Sequence, residues 1–468
     1  MQRNGRLLFD IIREAVTTKS GTLVHTPTSQ EWKQVIAELR GATELLEELR
    51  AAGTKPVSGF LFSVDTSSHS ETERQALNIK PDPLRDKIKQ AWPIYAADLD
   101  GKAIHSMELP HVMRFFESFC VLMADARLAI HEQDWDRALR DIDSLRGIAH
   151  HVVELKVTTN AYLHFGMHSY LLDLIEELLN SGESVLTDTQ LEKLQRTVEP
   201  KTMAWDDYFG HERLVFKDLI QRVYSWDSQG NGRLTVRGVR LLHELDETLK
   251  WEGAIGSMFE HEPESSWNLI DSGRSVLVAL NNKSRRQVEA AADKIFDSWS
   301  LHAGRPYNSN PFEEGVFEIY RMRQTRADIF NHLTPLDSQH EAYLKLRDCR
   351  QAVAAAIAVM RFRKAEQRLP ASFDELVGKY LEQVPKDHIN DLPLVLVSSE
   401  GKFRIYSLGW DGVDQDGRYR KAETYLESKM LEKDRSVLRD SEHPHPSKYN
   451  NSGTHDFDDW NLWPRHRP

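Results

Sequence analysis

Apolar residues recur at helical spacing along most of this chain, and the pattern predicts a mainly α-helical protein. Over 30–52, Trp32, Val35, Ile36, Leu39, Leu45, Leu46 and Leu49 return every three or four positions. Glu38, Arg40, Glu44, Glu48 and Arg50 fall between them, so an amphipathic helix is expected, capped by Thr28 or Ser29 and ended by Gly53. The stretch 53–83 is punctuated by Gly53, Pro56, Gly59, Pro81 and Pro83, which suits a long loop with one short strand-like run, Phe60–Val64.

From 84 to 300 the helical period dominates. Pro110 suits a first helical turn, and Phe115, Phe116, Phe119, Leu122, Met123, Ala126 and Ala129 follow on one face. A polar break at 132–135 precedes a second helix carrying Ala138, Leu139, Ile142, Leu145 and Ile148. Further helices are expected at 152–180, 187–198 (capped by Thr187), 210–225 and 235–252. Short connections predict antiparallel neighbours. Residues 116–148 bear a faint likeness to a tetratricopeptide unit, but the period does not return downstream, and a solenoid needs several repeats. An irregular antiparallel helical domain is the better expectation.

Residues 301–340 contain Gly304, Pro306, Pro311, Gly315 and Pro335 around one helical stretch, 317–329, and read as a linker. The pattern then changes. A helix over 341–367 carries Leu346, Cys349, Val353, Ala356, Ile357 and Met360. After it come a short helix capped by Ser372 and two alternating segments, Leu394–Val397 and Phe403–Tyr406, joined by a turn at 399–402. This order, one helix and then a small antiparallel sheet, predicts an α+β module over 341–417. A polar stretch, 418–457, reads as a flexible surface insertion, and 458–468 as a last strand and tail. The expected organisation is therefore 1–83, 84–300, a linker at 301–340, 341–417, 418–457 and 458–468.

Composition narrows the function classes. The 468 residues hold 60 Lys+Arg against 72 Asp+Glu, a net charge of −12, which argues against a protein built to hold nucleic acid phosphates. The longest apolar run is the nine residues Ala352–Met360, far short of the ~20 needed to cross a bilayer. The start of the chain lacks the long apolar region of a secretory signal, so a soluble protein is expected. Two cysteines, Cys120 and Cys349, make neither a disulfide framework nor a four-thiolate zinc site.

The C-terminal third carries a resemblance. Met360-Arg-Phe-Arg-Lys-Ala-Glu-Gln-Arg-Leu-Pro370, Phe373-Asp-Glu-Leu376, Tyr380-Leu381, Val384-Pro-Lys-Asp387 and Tyr406-Ser-Leu-Gly-Trp-Asp-Gly412 together resemble the soluble part of the type II secretion major pseudopilin. The likeness covers roughly 345–417. It implies the fold of the module rather than membership of a pilus, because 340 residues precede it where a pseudopilin has only its processed apolar helix. It is also similar to large bacterial proteins that fuse a helical region to this tail, and it implies an association with the cell envelope.

Three groups of residues could carry chemistry. The loop Asp411-Gly-Val-Asp414-Gln-Asp416-Gly417 offers hard oxygen ligands on a glycine-rich turn, as Ca²⁺ prefers. In the pseudopilin family the equivalent loop is similar to a structural calcium site, which implies a last ligand from Asp458 or Asp459. The plainer reading is a solvated acidic turn. Asp227, Gln229 and Asn231 follow an EF-hand at positions 1, 3 and 5, but position 12 is Gly238, so a helix–helix turn is favoured over a cation site. His164 and His168 share a helix face at the i, i+4 spacing zinc can use, yet Phe165 stands where a metalloprotease has Glu. With 20 histidines, such pairs arise by chance and structural roles are favoured.

No nucleophile elbow, phosphate-binding loop or dinucleotide fingerprint is present. The expectation is a non-enzymatic binding or scaffolding protein with a protein partner and Ca²⁺ as its one candidate cofactor. The alternative is a metal-dependent hydrolase using His164 and His168.

Overall fold

A computed structural model describes residues 32–58, 62–63, 97–98, 110–198, 203–227, 229–242, 283–303, 329–332, 337–409, 412, 414, 416 and 460–464. Over these residues the protein is mainly α-helical, with one small antiparallel sheet near the C-terminus. The chain divides into two compact units: one of Met1–Leu174, Thr202–Arg305 and Asn310–Ala342, the other of Ile175–Lys201, Pro306–Ser309 and Tyr343–Pro468.

The first unit opens with α1 (Trp32–Gly41) and α2 (Thr43–Gly53), so the single helix expected over 30–52 is broken at Ala42. Thr43 Oγ1 donates to the Arg40 carbonyl there, an alternative to the helical ladder. Two residues of the expected strand, Phe62–Ser63 (β1), pair in parallel with Ala97–Asp98 (β2). Helices α3 (Pro110–His131) and α4 (Trp135–Val152) form a hairpin with its turn at the predicted polar break. There Gln133 is left-handed, and the Asp134 side chain accepts from Arg137 N at 3.2 Å. Phe119, Leu122, Ala126, Ile142 and Leu145 are all buried.

Helix α5 (Thr158–Gly182) contributes its residues to Leu174 here, followed by α6 (Asp188–Val198) of the second unit, then α7 (Trp205–Phe209) and α8 (Glu212–Val223). Residues 236–242 are helical, and the remainder of the helix expected at 235–252 lies outside the described residues. Helix α9 (Arg285–His302) runs antiparallel to α8: Lys217 meets Asp293 at 2.8 Å, and Arg213 bonds Asp297 one turn further along. Glu212 and Arg213 look like an internal ion pair in sequence, but they separate. Glu212 Oε1 accepts from Thr158 N at 2.5 Å, at the start of α5.

The second unit is built on α10 (Asp337–Glu366), from Tyr343 onward. Its segment Ala352–Met360 is buried on every side, as an apolar run without a polar face requires. A 3-10 turn, Phe373–Glu375, is capped by Ser372, whose Oγ accepts from Asp374 N. Strands β3 (Val395–Ser399) and β4 (Lys402–Ser407) then form a hairpin. Glu400 and Gly401 turn it with φ of 52° and 78°, the twist a two-residue hairpin needs. Strand β5 (Trp460–Trp463) closes the sheet antiparallel to β4, and Trp463 stacks on Phe403 at 6.4 Å.

Sequence periodicity places 175–201 in the helical domain of 84–300; the structure places it with the C-terminal module. The reason is side-chain bonding over long sequence separations. Arg361 binds Asp188 through two nitrogens at 2.8 and 3.2 Å, Arg350 Nε donates to the Val198 carbonyl, and Gln195 Nε2 donates to the Tyr380 carbonyl at 2.7 Å. Most of the linker at 301–340, and all of 418–457, lie outside the described residues, and no helix among the described residues is long and apolar enough to cross a membrane.

Candidate functional site

A group of bonded polar side chains in the second unit joins the two motifs around Asp387 and Ser407. Asp387 is fully buried, and its oxygens accept from Ile389 N (2.9 Å), Asn390 Nδ2 (2.8 Å) and Ser407 Oγ. Ser407 Oγ in turn accepts from Gly409 N at 2.9 Å, and Asn390 Nδ2 also donates to the Gly409 carbonyl at 3.0 Å. One carboxylate thus fastens the segment after Pro385 to the end of β4.

Asp348 of α10 completes the cluster. It is also fully buried, and its Oδ1 accepts from His388 N at 2.9 Å and from His388 Nδ1 at 2.5 Å. His388 Nε2 faces Gln351 Nε2 at 3.3 Å, so the amide donates and the ring accepts. Burial holds His388 down at about 4, with the charge of Arg347 adding to it, so the imidazole is neutral and carries its proton on Nδ1. Burial pushes Asp348 up to about 7 and Asp387 up to about 6.

The acidic loop follows directly. Asp414 Oδ1 accepts from Tyr406 Oη at 2.9 Å and from Asp416 N at 2.8 Å, while Gly412 and Asp416 take positive φ. Asp414 and Asp416 are both exposed, whereas the tyrosine is buried in the sheet. Asp414 Oδ2 and the Asp416 carboxylate are hard oxygen donors, the type Ca²⁺ takes. Asp411, Asp458 and Asp459 lie outside the described residues.

The EF-hand-like loop is closed by its own bonds. Asp227 Oδ1 accepts from Gln229 N (3.0 Å) and Asn231 N (2.6 Å), and all three residues are exposed. The Arg233 carbonyl, which an EF-hand turns inward to the ion, accepts instead from Ser225 N at 2.8 Å. The Gly230 and Gly232 carbonyls accept from Arg286 N and Arg285 N at the start of α9. The loop serves as a brace between α8 and α9.

His164 and His168 do lie together on one face, with ring centroids 4.3 Å apart and planes tilted by 53°, and both are buried. His164 Nδ1 lies 2.8 Å from the Ala149 carbonyl, which only accepts, so this nitrogen holds the proton. Nε2 then accepts from Tyr208 Oη at 3.1 Å. Both ring nitrogens of His164 are engaged. Among the described residues, no group of three or more His, Cys, Asp or Glu side chains is placed to hold a metal ion. Cys120 is buried, and burial, together with Glu117, pushes its thiol up to about 12, which leaves it unreactive.

Sequence reasoning missed the ion cluster of the first unit. Arg50, which looks like a surface residue of an amphipathic helix, is buried and bonds Asp141 Oδ1 (2.6 Å), Asp125 Oδ2 (2.5 Å) and Glu47 Oε1 (2.6 Å). It ties α2 to both helices of the α3–α4 hairpin. The only signal in the sequence is the presence of aspartates within two apolar helix patterns, at Asp125 and Asp141.

Compared with known proteins, the chain matches no family model, no curated protein and no solved structure.

Proposed function

We propose that this chain is a non-enzymatic binding or scaffolding protein whose C-terminal module is a rigid, pseudopilin-like unit stabilised by Ca²⁺ at the Asp411–Asp416 loop. The observation that carries this reading is the bonding between the motifs of the resemblance. Asp387 of the Pro-x-Asp segment holds Ser407 of the Tyr-Ser-x-Gly segment, and Tyr406 of that same segment holds Asp414 of the acidic loop. Residues that the resemblance picks out separately in sequence thus form one connected structural network. Their polar atoms are spent on one another, as a display module requires, and not aimed at a common reacting centre. A bound Ca²⁺ would be held by Asp411, Asp414 and Asp416, with Asp459 from beyond the insertion, and would fix the loop by charge neutralisation. The resemblance further points to a protein partner at the cell envelope.

Isothermal titration of the full chain with CaCl₂ tests the ion site. One ion per chain, lost in Asp411→Ala and in Asp414→Ala, is expected; heat that is absent, or unchanged in both variants, overturns the calcium reading.

A further inference from the structure

The EF-hand-like loop places an asparagine directly ahead of a glycine that the fold cannot replace. A β-carbon on Gly232 would come closer than 3.0 Å to the Ser225 carbonyl oxygen, a backbone obstacle, so only glycine fits there. Asn231 beside it is exposed. Its backbone N–H donates to Asp227 Oδ1 at 2.6 Å, but its carboxamide and the Gly232 N–H have no hydrogen-bond partner among the described residues. Three other asparagines are held differently. Asn160 is fully buried and donates to the Val152 carbonyl at 2.6 Å. Asn390 bonds Asp387 and the Gly409 carbonyl through its nitrogen and Leu392 N through its oxygen. Asn180 is exposed but lies within α5, ahead of Ser181 rather than a glycine.

We propose that Asn231 and Gly232 form a self-modification site, at which Asn231 loses its amide to the neighbouring backbone and the brace between α8 and α9 is released. Gly232 N attacks the Asn231 carboxamide carbon. The new C–N bond closes a five-membered imide, the Gly232 proton passes through solvent to the departing nitrogen, and ammonia leaves. One water then opens the ring at either carbonyl. The product is aspartate or, with the main chain rerouted through the side chain, isoaspartate. No electrons change hands, and water is the only co-reactant. Consecutive residues supply both reacting atoms, so the encounter needs only rotation about the bonds of Asn231. Glycine assists, because no β-carbon shields the attacking nitrogen.

The consequence follows from where the loop is pinned. Asp227 holds Asn231 N on one side of the Asn231–Gly232 link, and on the other the Gly232 carbonyl accepts from Arg285 N at 2.8 Å. The Gly230 carbonyl accepts from Arg286 N at 3.0 Å, and Ser225 N and Oγ bond the Arg233 carbonyl and Arg233 N. Isoaspartate adds one carbon atom to the main chain between these fixed points. The close approach of Gly232 to Ser225 leaves no room to absorb it. Either product also sets a second carboxylate beside Asp227, where like charges repel. The bonds lost are those to Arg285 and Arg286, first-turn amides that have no partner within α9 itself. This inference stands without calcium and without the resemblance.

Peptide mapping of the aged full chain tests it. Trypsin releases the peptide 223–233, in which Asn231 is the sole asparagine, and chromatography separates its amide, aspartyl and isoaspartyl forms. After incubation at pH 8.5 this peptide is expected to pass from the amide to the acid forms, chiefly isoaspartyl, while Asn160 and Asn390 stay intact. A sample held at pH 5.5 keeps the amide, because hydroxide must remove the Gly232 proton. Hydrogen exchange at the Arg285 and Arg286 amides of the aged chain is expected to lose about tenfold in protection, as for two ordinary hydrogen bonds. The variant Asn231→Gln, treated identically, keeps its mass and its protection, because the longer side chain closes an imide far more slowly. An amide that persists at pH 8.5, or conversion that leaves Arg285 and Arg286 as protected as in Asn231→Gln, overturns the proposal.

Discussion

The backbone of Gly53, at the end of α2, lies directly on the α-carbon of Gly147 in the middle of α4. A β-carbon built on Gly147 would come closer than 3.0 Å to the Gly53 carbonyl oxygen, and one built on Gly53 would also come within 3.0 Å of the Ser144 carbonyl. Neither obstacle is a side chain that could swing away. Gly147→Ala must therefore push α2 off the hairpin, and a loss of ~1–3 kcal/mol is expected, as for an overpacked core. Gly166, exposed on α5 with nothing within 4 Å, supplies the contrast: Gly166→Ala is expected to gain ~0.5–1 kcal/mol. Urea unfolding of the two variants beside wild type measures both, and a harmless Gly147→Ala would refute the close crossing.

Arg50 secures the same crossing electrostatically. Burial works against its charge, but the bonds from Asp141, Asp125 and Glu47 hold it firmly protonated. Arg50→Met leaves Asp125 and Asp141 buried without their cation and is expected to cost ~3–5 kcal/mol, with Asp141→Asn restoring part of it. The loss should depend on pH. Burial already raises Asp141 to about 7 against the pull of Arg50, so removing the guanidinium raises it further. A raised carboxyl is stable while protonated and loses stability as pH climbs, so the penalty should be smaller at pH 5 than at pH 8. Denaturation midpoints at the two pH values test this, and equal penalties would mean that Asp141 does not titrate with the fold.

These two crossings show where a sequence is legible and where it is not. The faces of α3 and α4 were readable because Leu122, Ala126, Ile142 and Leu145 repeat at helical spacing, and the β3–β4 turn because Glu-Gly sits between alternating segments. Arg50 was not, because its partners Asp125 and Asp141 lie 75 and 91 residues away, and local pattern makes a charged residue in an amphipathic helix look solvated. The same blindness hides the partners of α6: Asp188 and Gln195 stand between its apolar positions, and Arg361 and Tyr380, to which they bond, lie more than 150 residues away. In the candidate site, Asp387, Tyr406 and Ser407 were visible as motif letters, but not their bonds, and Asp348 and His388 carried no local mark at all.

The Arg361–Asp188 pair separates charge from packing. Hydrogen bonding from Arg361 holds Asp188 below its ordinary value, but the carboxylate is 58% exposed, so solvent screens most of the attraction. Asp188→Ala is expected to cost only ~0.2–1 kcal/mol. Its contribution is present above the ordinary carboxylate range and should vanish as pH falls below ~4, because the shift is downward. Arg361→Ala should cost more, ~1–3 kcal/mol, since the guanidinium also donates to Gln195 Oε1 and lies 5.4 Å from the Tyr380 ring centroid. A double-mutant cycle separates the two contributions, and equal losses would assign everything to the ion pair.

His164 makes a tautomer prediction. With Nδ1–H committed to the Ala149 carbonyl, Nε2 accepts from Tyr208. Tyr208→Phe removes that bond and is expected to cost ~0.5–1.5 kcal/mol. The ¹⁵N shifts of the ring should show the Nδ1-protonated form in wild type, and an Nε2-protonated ring would overturn the assignment.

Tyr406 offers the most direct handle on the acidic loop, because its hydroxyl reaches Asp414 from within the sheet while its ring is part of the core. Tyr406→Phe keeps the ring and removes the hydrogen bond to Asp414, so the apo protein should lose only ~0.5–1.5 kcal/mol. Its larger effect should fall on the loop. If Asp414 must be held in place before Ca²⁺ arrives, the variant binds the ion more weakly, because ordering the carboxylate then counts against binding. Ligand stabilisation scales as RT ln(1 + [L]/Kd), so at a free Ca²⁺ concentration 100 times the wild-type Kd the wild-type gain is about 2.7 kcal/mol. A tenfold weaker site would gain about 1.3 kcal/mol less at the same concentration. Melting curves with and without Ca²⁺ for the two chains measure that difference. If Ca²⁺ raises both melting temperatures equally, Tyr406 does not preorganise the site, and Asp414 serves the fold rather than the ion.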